Sequence, residues 1–156
     1  MTENINVPNG NEELIREIKK DFFSLRNGII AESIKKLYPE GKIIFGLNVP
    51  QFMELSKKYP KNMDLGFSLW KDKKCRESRL LSLYIIPLEE LDKEIAKSMI
   101  RDVESIEEAD FLSFRVLRNL PYAQELYKEI SSEDQPSESS SYCVSMFKKN
   151  LDQLKN

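Results

Sequence analysis

The sequence predicts an all-α protein built from an array of short helices. Glycine and proline contribute only 5 and 7 of the 156 residues, and charged residues make up 32%, a composition that favours helices over a β-sandwich. Apolar residues recur at spacings of three and four in successive windows of ten to fifteen residues. Short paired helices joined by tight turns are typical of an α-solenoid of HEAT type. Because the period is irregular, a compact helical bundle is the structural alternative.

The N-terminal quarter of the chain predicts two helices after a polar lead-in. Residues 1–10 are rich in Asn, Pro and Gly and are predicted to be irregular. Asn11 is predicted to cap the first helix, whose apolar stripe carries Leu14, Ile18, Phe22 and Leu25. The first helix ends or bends at Gly28, and a second helix ends at Tyr38 because a proline follows it.

A series of short helices is predicted after an apolar connector. Ile43–Pro50 is apolar like a strand but finds no pairing partner in the sequence, so it is predicted to be a buried connector with Pro50 in the first turn of the next helix. Capping residues and prolines then divide the chain into helices at about 50–59, 62–70, 73–86, 88–99, 105–120 and 121–130.

The chain divides into a helical-repeat domain, a linker and a last helix. Residues 1–130 form the predicted HEAT-like domain, and residues 131–141, which contain no apolar side chain, form a solvated polar linker. Residues 142–156 carry one more amphipathic stripe and are predicted to be a C-terminal helix. This helix either covers the open end of the solenoid or docks elsewhere or on a partner, since the linker permits each arrangement.

The 105–120 helix contains a carboxylate that requires an explanation. Ser105 and Glu108 form a capping box, and at 100° per residue the helix presents one broad apolar arc. Asp110 falls inside this arc, where a carboxylate is costly unless it has a partner. Either Asp110 pairs with a nearby Arg or Lys at a helix interface, or it serves a catalytic or nucleic-acid-binding role.

Three other carboxylates have structural interpretations. Glu107 and Glu108 lie in the first turn of their helix, where negative charge complements the helix dipole. Glu77 shares a helix face with apolar residues, so we expect it to form an internal hydrogen bond or ion pair that fixes adjacent repeats.

The composition excludes several classes of site. The chain has no histidine, which removes the commonest general base and metal ligand and any Ser–His or Cys–His nucleophile pair. We find no shared-face carboxylate cluster and no glycine-rich phosphate loop, so no metal or cofactor is predicted. Cys75 and Cys143 match no metal or redox spacing and are interpreted as reduced thiols. Without a membrane-length apolar run or a signal peptide, the chain is predicted to be cytoplasmic and without a membrane partner.

Positive charge is concentrated locally rather than globally. The formal net charge is −2, so a nucleic-acid surface would have to be a local patch. The densest basic run comprises Lys57, Lys58, Lys61, Lys71, Lys73, Lys74, Arg76 and Arg79. It is either a solvated rim or a surface that follows phosphates, to which Arg115 and Arg118 on the outer side of the Asp110 helix could add. Trp70 beside this run is either a core anchor or a base-stacking platform.

Three motifs in order resemble the DNA alkylation repair family of HEAT-like repeat proteins, the AlkD-like alkylpurine DNA glycosylases. Phe45-Gly46-Leu47-Asn48-Val49-Pro50 resembles the family's F-G-V-x-x-P start of a repeat. Leu69-Trp70, a lysine-rich turn and Glu77-Ser78-Arg79-Leu80-Leu81-Ser82 resemble an L-W followed by an E-x-R-x-L-A helix. The 105–117 helix falls where the family has its W-D-x-x-D-type catalytic helix. The resemblance covers residues 36–120.

The resemblance implies a function and a role for one residue. Asp110 matches the catalytic aspartate, whose carboxylate would stabilise positive charge on the deoxyribose while the damaged base leaves and would orient water. The implied partner is DNA, bound by the lysine-rich turn, and the implied activity is N-glycosylase activity toward alkylated purines. Ile106 stands where the family has a tryptophan, so DNA binding with base release and DNA binding alone both remain open. The alternative of another class is a non-catalytic helical-repeat module that binds a protein partner, with Asp110 structural.

Overall fold

The computed structural model describes residues 10–154, and over this range the protein is all-α. The described α-helices are α1 Gly10–Leu25, α2 Gly28–Ile34, α3 Val49–Lys58, α4 Met63–Trp70, α5 Arg76–Ile85, α6 Lys93–Asp102, α7 Ile106–Phe111, α8 Ala123–Ile130 and α9 Glu138–Leu154. None of them is long and apolar enough to cross a membrane. The prediction of an all-α helical-repeat fold is confirmed.

The N-terminal helices differ from the prediction at one cap. Helix α1 begins at Gly10, so Asn11 lies inside its first turn and does not cap it. The predicted irregular lead-in otherwise lies outside the described residues. The predicted break is confirmed, because the Asn27 side chain accepts hydrogen bonds from the backbone N–H groups of Ile29 and Ile30 and caps α2.

A buried carboxylate holds the connector before α3 in place. Glu77 accepts hydrogen bonds from the N–H groups of Phe45, Gly46 and Leu47 at 2.9, 2.9 and 3.3 Å, which confirms its predicted internal role. Gly46 has φ 90°, and a Cβ there would lie 2.3 Å from the Asn27 carbonyl oxygen, so glycine is required. The connector also has a partner that we did not predict, since Ile43 forms an isolated parallel bridge with Cys75.

Helix α5 lies at the centre of the molecule. All ten of its residues are buried, and α4 and α3 both pack against it. One apolar cluster surrounds α5 with side chains of α1, α3 and α4, and a second cluster joins α6 to α9. Phe111 packs against both clusters, so α7 connects the two halves of the fold.

The predicted 105–120 helix is not a continuous α-helix. It is α-helical over Ile106–Phe111, changes to a π-helical turn over Leu112–Val116 and ends in a 3₁₀ turn over Leu117–Asn119. A π turn has hydrogen bonds between residues five apart and therefore rotates every later side chain relative to a regular helix. The predicted inner residues Leu112, Val116, Leu117 and Leu120 are nevertheless all buried, and Arg115 is the side chain whose predicted placement changes.

The C-terminal helix packs on the helices that precede it. Helix α9 begins at Glu138, four residues before the predicted start, and contacts α6, α7 and α8. Cys143 and Phe147 are fully buried in the second apolar cluster. The buried Asn150 side chain donates a hydrogen bond to the Ser113 hydroxyl at 2.9 Å, which fixes α9 to the π turn. This packing places one face of α9 beside Asp110.

Candidate active site

A cavity of about 570 Å³ opens beside Asp110. Pockets of roughly 300–1,000 Å³ suit small molecules or single groups of larger ligands. The lining is mainly apolar and aromatic and comes from α3, α5, α7, the π turn and α9. It comprises Val49, Met53, Tyr84, Asp110, Phe111, Phe114, Arg115, Tyr142, Met146 and Asn150.

Asp110 is polar and charged in these mainly apolar surroundings. Its Oδ1 accepts a hydrogen bond from the Tyr142 hydroxyl at 3.0 Å. No ion pair to Asp110 is formed by the Lys and Arg side chains of residues 11–154, in contrast to Glu107 and Glu108 on the same helix. Burial raises the pKa of Tyr142, and the hydrogen bond to the Asp110 carboxylate raises it further. The interpretation of Asp110 as half of an interface ion pair is therefore not what the structure shows.

The π turn brings Arg115 into the cavity. We predicted Arg115 on the outer side of the helix, and this placement is wrong because residues five apart share a face in a π turn. The guanidinium carbon of Arg115 lies 3.9 Å from the centroid of the Tyr84 ring. Its Nε is buried and has no hydrogen-bond partner among the described residues. A cation stacked on an aromatic wall is thus available to an anionic ligand.

Arg118 stacks on a ring that lines the same cavity. Its guanidinium carbon is 3.6 Å from the centroid of the Phe114 ring, and its Nε donates to the Phe114 carbonyl oxygen at 2.8 Å. Phe114 is itself 49% exposed and lines the cavity. Of the predicted site residues, Asp110 and Arg115 therefore line the cavity, and Arg118 contacts it only through the Phe114 ring.

The cavity rim is apolar and exposed. Val49, Met53 and Ile106 are each close to half exposed although they are large and apolar. Ile106 lies one helical turn before Asp110, at the position of the family's tryptophan. It supplies apolar surface there without an aromatic ring.

The lysine-rich turn lies away from the cavity. Lys71, Lys73 and Lys74 precede the N-terminus of α5, whereas Tyr84 lies near its C-terminus, and the ten residues of α5 span roughly 15 Å. The Lys73 ammonium pairs with Asp102 at 2.8 Å. Lys71 and Lys74 are exposed, and neither pairs with a carboxylate in residues 11–154. Their predicted role in binding phosphate stays a prediction that does not involve the cavity.

Two predicted DNA contacts are buried instead. Trp70 is 3% exposed, and the Arg79 guanidinium carbon lies 3.7 Å from the centroid of its ring. Arg76 is also 3% exposed and is paired with Glu77 and Glu107. We correct both assignments, because neither side chain could reach DNA without breaking these contacts. Trp70 acts as the core anchor that was its alternative interpretation.

Two buried ion pairs join α7 to α5. Glu108 pairs with Arg79 at 2.9 Å, and both side chains are fully buried. Glu107 pairs with Arg76 at 2.7 Å and accepts the Tyr38 hydroxyl at 2.5 Å. Helix-dipole stabilisation explains neither carboxylate fully, since both are held by specific cationic partners. Because Asp110 follows on the same short helix, these pairs also fix its position against α5.

The Glu107 pair predicts a loss of stability in acid. Burial alone would raise the pKa of Glu107, but the hydrogen bonds and charge of Arg76 and the hydrogen bond from Tyr38 hold it below its ordinary value of 4.5. A carboxyl with a lowered folded-state pKa stabilises the fold above its unfolded-state pKa, and this stabilisation is lost as the pH falls. We expect the free energy of unfolding, measured in urea, to fall below about pH 4.5 and to fall less in Glu107→Gln.

The exposed Glu40 provides the control for this measurement. Glu40→Gln removes the same charge from a site without a described ion pair. Its stability profile in acid should therefore follow that of the wild type. Parallel acid profiles for Glu107→Gln and the wild type would contradict the assignment.

Sequence reasoning missed the side chains that α9 contributes to the cavity. Tyr142, Met146 and Asn150 recur at intervals of four residues on one helix face, and all three line the cavity. Lys149 lies seven residues after Tyr142, close to the same face, and is exposed. The sequence signal for this cavity-lining face was the four-residue spacing of Tyr142, Met146 and Asn150. We interpreted only the neighbouring apolar stripe.

Known proteins bear on the nature of this site. No group of three or more His, Cys, Asp or Glu side chains in the described part of the chain is arranged to bind a metal ion. A model of the protein family described as DNA alkylation repair enzyme matches residues 18–148. No curated protein and no solved structure matched at the level taken as significant. The matched range includes every residue that lines the cavity except Asn150.

Proposed function

The chain belongs to the DNA alkylation repair enzyme family, and from this premise we propose that it binds DNA and releases alkylated purine bases at the Asp110 cavity. The observation that carries the proposal is a carboxylate that forms no ion pair with residues 11–154 and lies in a cavity with aromatic walls. An anion in surroundings that exclude water interacts strongly with a developing positive charge. The cavity therefore suits a reaction that generates a cationic sugar.

The proposed reaction is hydrolysis of the N-glycosidic bond. The bond between C1′ of the deoxyribose and the ring nitrogen breaks, and its electron pair leaves with the base. The Asp110 carboxylate stabilises the resulting oxocarbenium-like sugar, and a water molecule adds to C1′ and loses a proton. The released base and an abasic deoxyribose are the products. Phe111 and the half-exposed Phe114 provide the apolar surfaces against which the nucleotide is held.

The proposed phosphate contacts surround the cavity mouth. Arg115 lines the cavity, Arg118 stacks on the Phe114 ring that lines it, and Lys149 lies close to the α9 face that lines it. These cations would bind the phosphates that flank the target nucleotide. Lys71 and Lys74 are free to contact phosphates farther along the strand. In this proposal residues 1–130 remain the HEAT-like domain, the predicted linker 131–141 is shortened to 131–137 because α9 begins at Glu138, and α9 forms part of the site.

Binding to DNA should depend on salt. If the protein neutralises about three phosphates, its affinity for a short duplex should fall about 40-fold between about 50 and about 200 mM salt. The same preparation should release 3- or 7-methylated purines from methylated duplex, detected by chromatography of the free bases. Binding that is insensitive to salt, or the absence of base release, would contradict the corresponding half of the proposal.

Substitutions of two adjacent lysines of α9 distinguish a specific phosphate contact from a general effect of positive charge. Lys149→Gln should weaken binding about equally for all duplex sequences and should reduce the salt slope by about one. Lys148→Gln is the matched control, because Lys148 points about 100° away around the helix and pairs with Asp152 at 3.1 Å. Salt titrations of both variants, followed by fluorescence anisotropy, provide the comparison. Equal losses in the two variants would rule out a specific contact by Lys149.

The exposed apolar rim supports a second candidate function. Val49, Met53 and Phe114 line the cavity and are each close to half exposed, an apolar surface that is also typical of a protein-binding surface. The second candidate is therefore a non-catalytic module that binds a protein partner. It would be favoured if the wild type neither binds DNA at low salt nor releases a base.

A further inference from the structure

Helix α9 is built into the candidate site and not merely placed beside it. Its buried face is fixed by Cys143 and Phe147 in the apolar core, and the Phe147 ring meets the Tyr127 ring edge-on with centroids 5.7 Å apart. The hydrogen bond from Asn150 to Ser113 ties it to the π turn. The neighbouring face of the same rigid helix presents Tyr142 and Met146 to the cavity, so the position of Tyr142 is well defined.

The Tyr142 hydroxyl contacts one oxygen of the Asp110 carboxylate. The distance from the hydroxyl to Oδ1 is 3.0 Å, and no other side-chain donor in the described residues contacts that carboxylate. A hydrogen bond to a charged acceptor is stronger than one between neutral groups and fixes the rotation of the carboxylate plane. Once Oδ1 is engaged by Tyr142, Oδ2 is the oxygen left for another ligand.

We propose that Tyr142 is the positioning residue of the site and that α9 thereby supplies a functional wall of the cavity. The inference rests on the proposed base release. Tyr142 holds Asp110 with one oxygen directed toward the place where the sugar would lie. Tyr142 itself makes and breaks no covalent bond, and it leaves the phosphate contacts unchanged. Its removal should consequently reduce kcat and leave KM and DNA affinity nearly unchanged.

The kinetic test is Tyr142→Phe with Tyr127→Phe as its matched control. Tyr127 belongs to the same apolar cluster, and its hydroxyl makes no side-chain hydrogen bond in the described residues. We expect kcat for base release to fall about tenfold to a hundredfold in Tyr142→Phe, since a charged hydrogen bond that orients a catalytic group is lost. Tyr127→Phe should retain wild-type kcat. Equal kcat values for Tyr142→Phe and the wild type would overturn the inference.

A spectroscopic test reports the hydrogen bond without reference to activity. The ¹³Cζ resonance of Tyr142 is assigned by its disappearance in Tyr142→Phe and is then compared between the wild type and Asp110→Ala at neutral pH. We expect this resonance to shift, while that of Tyr127 stays in place. An unchanged Tyr142 resonance would overturn the proposed pairing.

The two tests separate the inference from the proposed function. A shifted Tyr142 resonance together with a wild type that releases no base would overturn base release, and with it any catalytic role for Tyr142, but would leave the hydrogen bond established. Base release by the wild type with unaltered kcat in Tyr142→Phe would support the proposed function and overturn the positioning role. A reduced kcat, unchanged KM and a shifted resonance would together support both.

Discussion

Asp110→Asn is expected to lower the rate of base release by about 100- to 1,000-fold while DNA binding persists. Removal of one preorganised electrostatic group from an active site typically has an effect of this size. The asparagine keeps the shape of the side chain and can still accept the hydrogen bond from Tyr142, so the cavity should remain intact. What it removes is the negative charge opposite the developing positive charge on the sugar. Single-turnover release from methylated duplex measures the effect directly.

The control for Asp110→Asn removes the same charge elsewhere. Asp64 lies exposed in the first turn of α4 and lines no part of the cavity. Asp64→Asn should release bases at the wild-type rate, whereas both variants should keep or slightly increase their affinity for DNA, because each removes a negative charge. Wild-type release by Asp110→Asn would contradict a catalytic role for this carboxylate. The cavity would then be at most a binding site.

Sequence patterns predicted the helices well because their signals are local. Caps such as Asn27 and breaks such as Pro87 act within one or two helical turns, so the sequence itself carries their effect. The structure differs where the deciding interaction is distant in sequence. The helix changes to π geometry after Phe111, where α9 packs against it, and the apolar periodicity of residues 105–120 gives no sign of this change. Arg115 was assigned to the wrong face for this reason.

The density of basic residues in the sequence indicated the cavity residues less well than did the position of Asp110 on the apolar face of its helix. Arg76 belongs to the densest basic run of the chain, yet its side chain is buried and pairs with Glu107, which lies 31 residues later in the sequence. Nothing in the spacing of Arg76 distinguishes it from the exposed Lys74. Asp110 could be recognised from the sequence as unusual, because the apolar residues beside it belong to the same helix, which is regular over Ile106–Phe111. Tyr142 could not, since its contact with Asp110 depends on how α9 folds back across the molecule.

The second large effect concerns the ion pair that holds α7, the helix that carries Asp110. Glu108→Gln is expected to lower the free energy of unfolding by about 3–5 kcal/mol, because it leaves the fully buried Arg79 guanidinium without its main counter-charge. Helix α7 has only six residues and cannot be stable without its tertiary contacts. The glutamine oxygen can still accept the Glu104 backbone N–H, which lies 2.8 Å from the Glu108 carboxylate, so the loss should come from the unpaired Arg79.

Equilibrium unfolding in urea of Glu108→Gln, Glu104→Gln, the single variants Arg79→Met and Glu108→Leu, and the double variant Arg79→Met/Glu108→Leu tests this expectation. Glu104 is partly exposed and lies 3.7 Å from Lys42 and Lys73, so Glu104→Gln should cost no more than about 1 kcal/mol. The double variant replaces both charges with apolar groups and should lose less stability than the sum of its single substitutions, by about 2 kcal/mol. Additive losses would mean that Arg79 is stabilised by Asp102 and Trp70 independently of Glu108. In that case α7, and with it Asp110, would be held against α5 chiefly by the Glu107 pair.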